Sequence, residues 1–113
     1  MGRMGEKLQQ IKKLIGKLQQ TQPEEVKAFL NFMTEVEKEG ALSTKEKELV
    51  NIGLAVAAQC EWCIALHVKG ALDAGASKDE IREAAMQAVL MHGGPALMYM
   101  TPLEEALEEF TNE

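Results

Sequence analysis

Aromatic residues are scarce in this 113-residue chain, at 4% with three Phe, one Trp and one Tyr, and proline occurs only three times. Sheets favour aromatic and β-branched residues in period-two alternation. No such alternation is found, which argues against a β fold. Long apolar runs are missing too. The longest, Ile52 to Ala58, has seven residues, far below the roughly 18 of a membrane span. Basic charge is in deficit, with 12 Lys and Arg against 18 Asp and Glu and a net charge of −6. That balance argues against nucleic acid or an anionic membrane as partner, since both want a basic surface. The start, Met1-Gly2-Arg3-Met4-Gly5-Glu6, lacks the apolar core of a signal peptide, and Glu6 stands where a myristoylation motif wants Ser or Thr. A cytoplasmic location is the expectation. There, the chain's two cysteines are more often catalytic or metal-binding than structural.

What is plentiful points the other way. Apolar residues make up 46% and charged residues 27%, the balance of a globular protein, and the length suits a single domain over residues 1–113. Helical periodicity is strong. Leu8, Ile11, Leu14, Ile15 and Leu18 form one apolar stripe. Pro23 with Glu24 and Glu25 opens a second segment, carrying Val26, Phe29, Leu30, Met33 and Val36 up to Gly40. Ser43-Thr44-Lys45-Glu46 and Ser77-Lys78-Asp79-Glu80 read as capping boxes for a third and a fifth helix. The third ends near Gln59, a fourth carries Cys63, His67, Val68, Ala71 and Leu72 to Gly75, and Gly93-Gly94-Pro95 opens a sixth. Pro102 should kink or restart that last one. The fold class is all-α, with about six helices. Helix four and the Met- and Ala-rich C-terminal third are apolar on more than one side, which a monomer this small cannot readily cover; a homo-oligomer is expected.

Cys60-Glu61-Trp62-Cys63-Ile64-Ala65-Leu66-His67 carries the chemistry. Spacings of three and four put Cys60, Cys63 and His67 on one helix face. An imidazole can take the proton of a thiol, the amides of a helix N-terminus favour the thiolate, and a second thiol one turn away can resolve an oxidised sulfur. Cys63 is therefore the candidate attacking sulfur on a peroxide, Cys60 the resolving one and His67 the base. The neighbouring Glu61 opposes a thiolate and is expected to point into solvent. Trp62 is expected at a subunit contact or over the dithiol, and His92 at a helix C-cap or an interface.

Glu48, twelve residues before Cys60-x-x-Cys63-x-x-x-His67, completes a pattern that resembles the alkylhydroperoxidase D-like (AhpD-like) branch of the carboxymuconolactone decarboxylase family. The likeness includes Leu42-Ser43-x-Lys45-x-x-Glu48-Leu49, Gly70-Ala71-Leu72-x-x-Gly75-Ala76, Glu80-Ile81 and Gly93-Gly94-Pro95-Ala96, covering about residues 42–97. It implies an AhpD-like helical domain assembled into a trimer or hexamer and acting as a thiol-dependent peroxidase or disulfide reductase. It also implies that Glu48 relays protons through His67, with no bound cofactor and with an external dithiol donor of lipoyl or thioredoxin type. Trp62 stands where well-studied hydroperoxide reductases of that group carry histidine.

Three other readings compete. Cys60, Cys63, His67 and His92 are four ligands of a kind zinc accepts. A lactone decarboxylase would keep His67 and the glycines and do without the thiols. A non-catalytic helical assembly would have unreactive thiols.

Overall fold

The computed structural model describes residues 2–111, and among these there are helices and no strands. Seven helices follow in order: α1 (Arg3–Thr21), α2 (Pro23–Glu37), α3 (Thr44–Ala57), α4 (Glu61–Asp73), α5 (Lys78–His92), α6 (Gly94–Met98) and α7 (Met100–Thr111). The all-α expectation holds. Both capping boxes form: Ser43 accepts from the Glu46 amide and Ser77 from the Glu80 amide, and each glutamate reaches back to its serine's amide.

Two boundaries differ from the sequence reading for identifiable reasons. α2 stops at Glu37 rather than Gly40, because Lys38 turns extended while Lys47 of α3 donates its Nζ to the carbonyls of Val36 and Lys38. The last helix is two helices. It breaks at Tyr99, and Pro102 falls in the first turn of α7, where its missing N–H leaves no gap in the ladder.

Much of the apolar surface of the fourth helix is covered within the chain. α4 is central, packed by α1, α3 and α7, and Ile64, Ala65, Val68 and Ala71 are fully buried. A helix with apolar residues on more than one side belongs mostly inside, and Lys69 and Asp73 mark its solvent side. α1 begins ahead of its apolar stripe, at Arg3, and its first turn is pinned to α7. Met4 is fully buried, and the amides of Met4 and Gly5 donate to the Glu109 carboxylate at 3.1 and 2.9 Å. That anion also suits the positive end of the helix dipole.

Apart from Trp62 of α4, 47% exposed, the large unburied apolar side chains lie on other helices and loops. Of the α2 stripe only Val26 is buried; Phe29 and Val36 are more than half exposed, as is Phe32 outside the stripe. Leu90 and Met91 at the end of α5 are 75% and 76% exposed, and Leu97 and Met98 on α6 are exposed as well. No described helix is long and apolar enough to cross a membrane.

Candidate active site

The turn between α3 and α4 sets the dithiol. α3 ends with Gln59 at φ +57, the one non-glycine residue with positive φ among those described. The Gln59 amide donates to Val56 O and the Cys60 amide to Ala55 O, the paired bonds of a helix end that usually places glycine in this conformation. α4 ends the same way with Gly75 at φ +94 in the equivalent place. The reversal leaves Cys60 as the N-cap of α4, with its Sγ accepting from the Cys63 amide at 3.2 Å. Cys60 and Cys63 are joined as a disulfide with Cα atoms 5.2 Å apart. The structure is thus the oxidised form of the dithiol, and the amide that now meets the Cys60 sulfur would favour its thiolate after reduction.

Glu61 is not simply solvated. Its carboxylate pairs with Arg3, which also holds Glu105, so the charge that would oppose a thiolate already has a counterion. Trp62 is held from α1. Its Nε1 donates to Gln10 Oε1 at 2.8 Å, and Lys7 Nζ sits 4.3 Å from the ring centroid. Contacts from Arg3, Lys7 and Gln10 therefore strap α1 to the first turn of α4.

α3 and α4 then bring together two residues that are 19 positions apart. His67 Nδ1 and Glu48 Oε1 are 2.8 Å apart, with both side chains mostly buried. Asn51 Nδ2 donates to the same oxygen at 2.9 Å. Burial pushes the Glu48 carboxyl up, but the hydrogen bonds from His67 and Asn51 prevail and hold it below its ordinary value. An ionised carboxylate can only accept, so Nδ1 carries the hydrogen and Nε2 is left with the free lone pair. The other carboxylate oxygen lies over Gly70, where any Cβ would collide with Glu48 Oε2. Gly70 is thus the gap in α4 that admits the carboxylate.

Cys63 and His67 open onto one groove of about 830 Å³ between the α1–α2 hairpin and α3–α4. Its walls are mostly apolar, including Ile15, Phe29, Met33, Val50 and Leu66, with Glu37, Lys47 and Asn51 as polar members. Cys60 is not among its lining residues. His92, last residue of α5, lines a different groove of about 390 Å³ with Leu54, Ala88 and Met91. The four-ligand zinc set is therefore not assembled: two of its members are oxidised and the fourth faces elsewhere. Sequence reasoning missed Asn51 and Glu37 as site residues. Asn51, one turn after Glu48 on a single helix, was open to it from the i,i+3 spacing, whereas Glu37 arrives only through the fold.

Residues 23–105 match the sequence profile of the carboxymuconolactone decarboxylase family. A protein of Paracoccus denitrificans named uncharacterized protein 4 in the cox locus is 38% identical over 82 residues, spanning 73% of this chain and 74% of its own. A carboxymuconolactone decarboxylase family protein of Legionella pneumophila, solved in its apo form, superposes with a TM-score of 0.91 at 36% identity over 96% of both chains. Another from Thermotoga maritima, with a suggested involvement in antioxidative response, gives a TM-score of 0.85 at 26% identity, covering 95% of this chain and 91% of that one.

Proposed function

This chain belongs to the carboxymuconolactone decarboxylase family, and from that premise we propose that it is a thiol peroxidase reducing organic hydroperoxides through Cys60 and Cys63. The observation that carries the reading is the opening of Cys63 and His67 onto one apolar groove, with Glu48 bonded to the far side of the imidazole. A suggested antioxidative involvement of the Thermotoga relative agrees with it.

In the reduced protein, His67 Nε2 takes the Cys63 proton, and the imidazolium that forms is stabilised by Glu48. The thiolate attacks the terminal peroxide oxygen and the O–O bond breaks. Cys63 becomes a sulfenic acid, and the departing alkoxide takes the proton from His67 to leave as an alcohol. The Cys60 sulfur then displaces hydroxide from the Cys63 sulfur, forming the disulfide and releasing water. An external dithiol of lipoyl or thioredoxin type attacks that disulfide and leaves oxidised, returning both thiols. The apolar groove favours a hydroperoxide with a hydrocarbon substituent over hydrogen peroxide. The exposed apolar surfaces of α2, α5 and α6 fit a homo-oligomer, trimer or hexamer, and a cytoplasmic site of action suits a dithiol that must be re-reduced.

Stopped-flow mixing of reduced protein with cumene hydroperoxide, followed by mass spectrometry, tests the assignment. Cys60→Ser should react once and stall as a Cys63 sulfenic acid, while Cys63→Ser should lose the fast phase. Reversed outcomes would exchange the two roles. Thiols inert to peroxide in the wild type, or lactone decarboxylation in a variant lacking both cysteines, would end the peroxidase reading.

A further inference from the structure

Glu37, Glu48 and His67 come from three different helices and are each part-buried, and one ligand atom from each lies within 4.8 Å of the others. We propose that these three side chains form a binding site for a divalent transition-metal ion. Two carboxylates and an imidazole suit zinc or manganese. They match neither the all-oxygen shell of calcium and magnesium nor the sulfur preference of copper(I). The spacing is suitable. Neighbouring ligands bound at about 2.1 Å to one ion lie about 3 to 3.4 Å apart, and His67 Nδ1 and Glu48 Oε1 are 2.8 Å apart already. Glu37, on the last turn of α2, closes the remaining gap by side-chain rotation.

Charge favours the same occupant. Among the described residues Glu37 makes neither a hydrogen bond nor an ion pair, because the lysines around it are engaged elsewhere. Lys38 Nζ pairs with Glu35, and Lys47 Nζ donates to the carbonyls of Val36 and Lys38. Two carboxylates thus converge on the imidazole, and no cation is bonded to Glu37 among the described residues. Asn51, bonded to Glu48, supplies the outer contact that orients a ligating carboxylate, and the groove leaves open positions for water. In this site the ion takes the Nδ1 lone pair, the ring hydrogen moves to Nε2, and the lone pair that would accept the Cys63 proton is lost. The ion therefore slows the thiol reaction, a consequence that rests on the relay proposed above.

Calorimetric titration of metal-free, disulfide-form protein with ZnCl2 tests the site, since the oxidised cysteines cannot hold the ion. A single Zn²⁺ should bind each chain saturably, and Glu37→Gln and Glu48→Gln should each weaken binding at least about tenfold. Glu24→Gln, at the exposed start of α2, should not change it. Absence of saturable binding, or wild-type affinity in Glu37→Gln, overturns the proposal. Mn²⁺, which prefers oxygen and imidazole to thiolate, should slow the peroxide reaction of reduced wild type and not of Glu37→Gln. Mn²⁺ bound at the site without slowing would retire the relay and keep the site.

Discussion

Gly70→Ala isolates the carboxylate–imidazole pair from the fold. A methyl group at residue 70 collides with Glu48 Oε2 and approaches the Glu48 Cδ. That oxygen is the far end of a flexible side chain, so the helix need not move and the carboxylate gives way. Alanine within a helix is better than glycine by about 1 kcal/mol, which offsets part of the loss of contacts around Glu48. With the bond to His67 worth about 1.5–3 kcal/mol, global stability should fall by roughly 0.5–2 kcal/mol. The reaction should change more. A hydrogen bond to a charged group is worth about 1.5–3 kcal/mol, and each 1.36 kcal/mol is a factor of ten in rate. Expelling Glu48 from His67 should then slow the peroxide reaction of Cys63 by about ten- to 150-fold near neutral pH. Trp62, the only tryptophan, stands one residue from Cys63 and reports disulfide formation by fluorescence in a stopped-flow trace, while urea unfolding reports stability. Much of the lost rate should return at high pH, where hydroxide removes the thiol proton. A wild-type rate in Gly70→Ala, with Glu48 shown to have left His67, would refute the relay.

Other outcomes follow from the same coordinates. Glu48→Gln, which keeps shape and removes charge, should slow the peroxide reaction by at least about tenfold near neutral pH, and unaltered rates across pH 6 to 9 would make Glu48 a bystander. Hydrogen bonds hold the carboxyls of Glu48 and Glu80 below their ordinary 4.5. Their contribution to stability is thus full above that value and lost as pH falls through the lowered ones; acid titration of unfolding in Glu48→Gln should show a smaller loss below 4.5 than wild type. Met4→Ala, at a fully buried side chain, should cost about 2–5 kcal/mol, and an unchanged denaturation midpoint would mean that the first turn of α1 is not part of the core. Light scattering should give a native mass well above 12.4 kDa, whereas a stable monomer at micromolar concentration would leave the exposed faces of α2 and α5 unexplained.

Much of the fold was readable because its signals are local. A capping box spans four residues, an apolar stripe repeats every three or four, and Ser43, Ser77, Gly75 and Gly93 all stand where a helix begins or ends. Cys60, Cys63 and His67 were legible for the same reason, since helical geometry alone puts them on one face. Glu48 was legible only by family likeness, because its pairing with His67 needs α3 packed on α4. What tertiary structure alone decided comes from contacts between distant positions. Packing against α1, α3 and α7 makes α4 central and accounts for much of its apolar surface within one chain. Arg3 reaches Glu61 and Glu105 to neutralise a charge beside the dithiol, and Glu109 holds the first amides of α1. Gln59 adopts a left-handed conformation that its side chain does not advertise; the bonds back to Ala55 and Val56 over-determine it. Sequence set which segments are helical and which residues could react. Only packing, which depends on side-chain shape between positions on different helices, decided that Gly70 makes room for Glu48 and that Glu37 arrives beside it.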